Sequence, residues 1–149
     1  MAKSVIFTDL ATPTGLTGSL VSGGTLAANT TYYYKVIAVF NNGTYAATFD
    51  GKSLASNEFS ITTTTTQKSV TLTFNHPKGT AGGYRVYRAI STGAYSVCLN
   101  IALLDSTYNV AGLVTWTDDG SVPYSANNAF QNTSHGKLLL ASTSPTTDI

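Results

Sequence analysis

Residues Thr31 to Phe40 read Thr-Tyr-Tyr-Tyr-Lys-Val-Ile-Ala-Val-Phe. Their alternation places Tyr32, Tyr34, Val36, Ala38 and Phe40 on one face of a half-buried strand. Aromatic and β-branched residues dominate, and these suit a pleated, packed surface. Leu26 lies six residues before Tyr32, with turn residues between them. This is the spacing of a tyrosine corner, in which the phenol hydroxyl bonds back to upstream backbone while its ring covers the core. Asn42-Gly43 then offers a turn able to take positive φ, and the chain returns in extended form.

The remaining segments repeat the pattern. Ser19 to Val21 is a brief edge strand, followed by a turn at Gly23-Gly24. Asn57 to Thr65 forms a strand with Phe59 and Ile61 on one face. The threonine run Thr62 to Thr66 suits a strand end, because β-branched residues are stiff. Ser69 to Phe74 alternates with Val70, Leu72 and Phe74 inward. In Gly83 to Arg88, Tyr84 and Val86 point one way and Arg85 and Tyr87 the other. Tyr95 to Ala102 continues the sheet, and Leu113 to Thr117 carries the only tryptophan, Trp116. This gives about seven strands at sandwich-like spacing with no amphipathic helix, an all-β antiparallel β-sandwich. The expected core is Leu26, Tyr32, Tyr34, Val36, Val70, Leu72, Phe74, Tyr84, Val86 and Trp116.

A chain of 149 residues has room for one such domain with arms. Residues 1–12 form an N-terminal arm, 13–124 the sandwich and 125–149 a C-terminal arm. The first arm carries Val5, Ile6 and Phe7. The second is polar apart from Phe130 and Leu138, Leu139 and Leu140, and it orders against its own domain or against a neighbouring subunit. Tyr45 and Phe49 sit on a long hairpin tip, where they either meet a partner or fold back on the sheet.

Charge is sparse, with 10% charged residues and a net charge of +1, so there is no field to draw nucleic acid or an anionic membrane. No apolar run is long enough to span a bilayer. The opening residues lack the apolar core of a signal peptide, which suggests a protein made in the cytosol. With one cysteine, Cys98, no intrachain disulfide forms, and Cys98 reads as a small apolar residue on a strand.

Catalytic and cofactor signals are absent from the pattern. His76 and His135 each stand alone, without a second ligand at metal spacing. Asp118-Asp119-Gly120 reads as a turn, since the longer alternating set of oxygen ligands that calcium needs is missing. The glycines open no phosphate-binding helix. The expectation is no enzyme, no metal and no cofactor. The outward aromatics Tyr33, Tyr45, Phe49, Tyr87 and Tyr95 would stack on sugar rings, cover a subunit interface, or make ordinary cross-strand pairs.

Two groups of residues carry a family resemblance. Leu26, Tyr32-Tyr33-Tyr34-Lys35-Val36-Ile37-Ala38-Val39 and Ser53 to Glu58 resemble the last two strands of fibronectin type III-like domains of the immunoglobulin-like class. Val70 to Phe74 followed by Gly83 to Arg88 resembles their early strands, with Phe74 where tryptophan is usual. Thr115 to Gly120 resembles the segment leading into the tyrosine-corner strand. The order is permuted, so the chain either closes on itself or pairs its ends with those of another copy. Such modules are common in bacteriophage structural proteins and bacterial surface proteins. The resemblance bears on the fold. The start at Met1, the lack of a secretion signal and of cysteine pairs, the low charge and the apolar-dotted arms lead to a further expectation. It is a non-enzymatic virion structural protein, a capsid decoration protein assembled in the host cytoplasm and displayed on the virion surface. Its partners would be other virion proteins, the major capsid protein first, and further copies of itself. Ile6, Phe7, Tyr45, Phe49, Phe130 and Leu138 to Leu140 are the expected contacts. The alternative is a glycan-binding or adhesion module.

Overall fold

The structure, a computed structural model, describes residues 5–8, 10–39, 51–76, 83–95, 97–102, 109–110, 112–121, 130, 132 and 137–140. Ten strands and no helix occur among them. These are β1 (Val5–Thr8), β2 (Thr14–Val21), β3 (Thr31–Val39), β4 (Phe59–Thr62) and β5 (Ser69–Asn75), then β6 (Gly83–Ala89), β7 (Val97–Ala102), β8 (Asn109–Val110), β9 (Leu113–Asp118) and β10 (Lys137–Leu140). Two four-stranded antiparallel sheets have the orders β2-β5-β9-β8 and β4-β3-β6-β7, and β1 pairs with β10. The sequence pattern suggested about seven strands; among the described residues there are ten, with β1, β8 and β10 outside the segments read as strands. The first of the seven is longer than its apolar residues suggested, because β2 begins at Thr14 and carries a register shift between Thr14 and Thr17. Gly15, at φ 64°, provides the positive dihedral inside that shift.

The two sheets face each other over one core, a β-sandwich-like all-β arrangement. Every inward position of β3 and β5 contributes: Tyr32, Tyr34, Val36 and Ala38 meet Val70, Leu72 and Phe74, with Tyr84 and Val86 from β6 and Val114 from β9. Leu26 also belongs to this core, as does Leu10, which lies within the segment expected to be arm. Trp116 takes an inward position but stays half-buried at the margin. Each fully buried aliphatic or aromatic side chain contributes about 1.5–3 kcal/mol. Phe74 meets Tyr84 edge-on at 5.0 Å, a preferred arrangement for aromatic quadrupoles.

The corner at Tyr32 closes as its spacing implies, with the Ala27 N–H donating to Tyr32 Oη at 2.9 Å. Replacing Tyr32 with Phe should therefore cost about 1 kcal/mol in urea denaturation, the worth of one part-buried hydrogen bond. The same corner receives the end of β9. The Thr25 N–H donates to the Asp119 carbonyl at 2.7 Å. Gly120, at φ 81°, packs so closely that a Cβ there would lie 2.6 Å from Thr25 Oγ1 and 2.9 Å from the Leu26 nitrogen. Segments far apart in sequence thus join within one chain.

The sheets are also stapled along one edge. Asn57 accepts from the Leu16 N–H and donates to the Leu16 carbonyl, both at 3.0 Å. Beside the upper half of β3, residues 53–56 replace a regular strand. Ser53 and Ser56 donate their N–H groups to Ala38 and Val36, and their hydroxyls accept from the N–H groups of the same two residues. Regular pairing is confined to Phe59–Thr62, shorter than the strand read from Asn57 to Thr65. It stops there because Thr63 turns inward and its hydroxyl donates to the Ala27 carbonyl at 2.6 Å.

Within the core lies a charge pair that the hydrophobic pattern concealed. Both oxygens of Asp118, which is 0% exposed, accept from Arg88 Nη1, at 2.8 and 2.6 Å. Tyr34 Oη donates to the same carboxylate at 3.0 Å, as does the Gly120 N–H. The Arg88 guanidinium also lies over the Tyr32 ring, 5.7 Å from its centroid. Burial first, and then the neighbouring carboxylate, hold the Tyr34 phenol far above the ordinary tyrosine range.

Candidate attachment surfaces

The outer faces of the two sheets differ in chemistry. On the first, Thr71 and Thr117 pair through their hydroxyls at 2.8 Å, a solvated threonine surface. On the second, the alternation that sends Tyr34, Val36 and Ala38 inward sends Lys35, Ile37 and Val39 outward, with Arg85 and Tyr87 from β6. Yet Ile37 and Val39 are 0% exposed and Tyr87 only 2%. They form a second apolar cluster, against which Ala55, Tyr95 and Phe130 pack.

Phe130 covers this face. Its ring meets Tyr87 edge-on at 5.1 Å and Tyr95 at 4.7 Å. Lys35 Nζ sits 5.9 Å from the Tyr95 centroid and 5.8 Å from that of Phe130, within cation–π range of both. Two residues on, Asn132 Oδ1 accepts from the Ala55 N–H at 2.9 Å. At Phe130 and Asn132 the C-terminal segment therefore lies against its own domain. Tyr87, expected among the outward aromatics available to a ligand, is instead a covered residue. The reason is that Phe130, remote in sequence, packs over it.

Glu58 borders the cluster. Tyr95 Oη donates to Glu58 Oε2, and Thr92 Oγ1 donates to Oε1 at 2.7 Å. These bonds, the tyrosine's first, hold the Glu58 carboxyl below its ordinary range. Burial and the same carboxylate push the Tyr95 phenol up. Tyr33 is half-buried on this side, while Tyr45 and Phe49 lie outside the described residues.

The second surface is the strand pair at the chain's two ends. Val5 pairs with Leu140, Ile6 with Leu139, Phe7 with Leu138 and Thr8 with Lys137. This ribbon belongs to neither four-stranded sheet. Successive residues of a strand belong to opposite faces, so apolar residue types fall on both faces of the ribbon. A two-stranded ribbon alone is marginal in water, and edges left open are normally guarded by charge or proline. Here Lys137 is the single charged residue of the eight. The ribbon thus brings Ile6 and Phe7 into register with Leu138 and Leu139, residues from opposite ends of the sequence that no local pattern could join.

The other chemical candidates have structural employment. His76 is buried, with Nε2 against the Ala11 carbonyl at 2.9 Å and Nδ1 against Tyr84 Oη at 3.1 Å. A carbonyl only accepts, so Nε2 carries a proton in that bond. Asp119 accepts from the Ser121 hydroxyl and N–H, which hold its carboxyl below the usual range and close the turn. Cys98 lies in β7, and His135 is outside the described residues. Among the described residues no three of His, Cys, Asp and Glu gather in one place. Also among them, no helix is long and apolar enough to cross a membrane. Comparison of the chain with protein-family models, with curated proteins and with solved structures finds no match.

Proposed function

We propose that this chain is a non-enzymatic structural protein of a virion, a capsid decoration protein of a bacteriophage that grips other virion proteins through its paired ends. The observation that carries this reading is the β1–β10 ribbon, apolar in residue type on both faces and separate from both sheets. Such an element gains by burial against a partner, at about 25 cal/mol per Å² of apolar area before ordering costs. The major capsid protein is the partner proposed for it, with neighbouring copies meeting on the shell.

The fibronectin type III-like reading of the body belongs to the same proposal. Immunoglobulin-like sandwiches join strands A, B, E and D in one sheet and C, F and G in the other. Those neighbours are reproduced if β2, β5, β9 and β8 take the places of A, B, E and D, and β6, β3 and β4 those of C, F and G. The contact between Asp119 and Thr25 supports the permutation, since it brings the end of the proposed E strand to the start of the F strand.

The glycan-binding alternative requires exposed aromatic faces, and the cover over Tyr87 weighs against it. The experiment is co-sedimentation with shells of the parent virion purified without the protein. A chain lacking residues 1–8 and 137–149 should lose binding by at least about a hundredfold while its near-ultraviolet circular dichroism persists. Undiminished binding of that chain would overturn the proposal.

A further inference from the structure

We infer that Phe130 is the positioning residue of the terminal ribbon: seated on the outer face of the second sheet, it fixes where β10 begins and so holds β10 in register with β1. The inference rests on reading the ribbon as the attachment element, and it names how the body presents that element.

The seat is well built. Phe130 lies against Tyr87 and Tyr95 with Lys35 above, and Asn132 takes the Ala55 N–H. Ala55 in turn belongs to the segment fastened along β3 by Ser53 and Ser56. An aromatic anchor followed two residues later by a side-chain-to-backbone bond ties the chain in position and direction. The tie reaches the strand that contributes most to both apolar clusters.

The other end of the ribbon is tied as closely. β1 ends at Thr8, and Leu10 is already in the main core. On the β10 side only residues 133–136 separate Asn132 from Lys137. With the seat released, the nearest described residue before β10 is Ser121, so up to the whole of 122–136 separates it from Lys137. That is at most close to a fourfold lengthening, and the probability of loop closure falls with the three-halves power of length. The ribbon's closing equilibrium would therefore fall by up to about sevenfold. A marginal two-stranded element is sensitive to a factor of that size.

Hydrogen exchange on the full-length chain tests this directly. In Phe130→Ala, amides of residues 5–8 and 137–140 should exchange faster than in the parent, by up to about sevenfold. Amides of β3, β5 and β6 should change by less than about twofold. Phe130→Tyr, which keeps the ring, should retain the parent's protection. Should Phe130→Ala fail to fold, Asn132→Ala removes a single hydrogen bond from the seat and should speed the same ribbon amides by a smaller factor. Ribbon amides that exchange alike in parent and variants would overturn the inference, whether they are fast or slow, and so would acceleration spread evenly over both sheets. No virion is needed, so this result is independent of the attachment reading. A ribbon that loosens in Phe130→Ala while shell binding is unchanged would remove the attachment reading alone.

Discussion

Replacing Asp118 with alanine should destabilise the fold by about 3 kcal/mol or more, the range for breaking one side of a buried ion pair. The carboxylate is 0% exposed and receives Arg88, Tyr34 Oη and the Gly120 N–H. Its loss leaves a guanidinium and a phenol without their acceptor between two apolar sheets. The Arg88 side chain keeps 15% exposure, and this partial route to water places the effect toward the lower end of the range. Removing both partners together, with Arg88→Met added to Asp118→Leu, should cost less than the single alanine, because no uncompensated charge remains. Urea midpoints for the three chains decide the matter. An Asp118→Ala chain within about 1 kcal/mol of the parent would mean that the pair is not a buried unit.

Phe74→Ala should have an effect of similar size by a different route, about 3–5 kcal/mol, from lost transfer free energy plus the cavity left behind. Phe74 is fully buried and its ring supports Tyr84, which in turn bonds His76. Domains of this kind are stable by only about 5–15 kcal/mol. Either change therefore takes a large share of the total. Phe130→Ala provides the contrast, since the ring is only partly buried and packs outside the main core. Its effect on the urea midpoint should be well below that of Phe74→Ala.

The main core was legible in the sequence because strand alternation has a period of two, and β3, β5 and β6 keep it without interruption. Tyr32, Tyr34, Val36, Val70, Leu72, Phe74, Tyr84 and Val86 are all buried where that period puts them. Arg88 and Asp118 obey the same period, one two places beyond Val86 and the other two beyond Trp116. Their burial was readable in principle, but charge outweighed parity. Tyr87 followed its period too, facing away from the core; what hid it was Phe130, more than forty residues later in the chain. Packing supplied by an isolated aromatic in a polar tail leaves no periodic trace. Nor does the pairing of β1 with β10, since register between the two ends of a chain is a property of closure and not of any local segment. His76 illustrates the same limit: a lone histidine in a loop says nothing of the Ala11 carbonyl that receives its proton.

If the ends act as one ribbon, neither strand can bind without the other. The most direct measurement is therefore co-sedimentation with decoration-free shells for chains lacking residues 1–8, residues 137–149, or both. The account predicts that each single truncation loses as much affinity as the double truncation, because removing either strand dissolves the shared element. Losses that add, each arm contributing its own independent part, would contradict it.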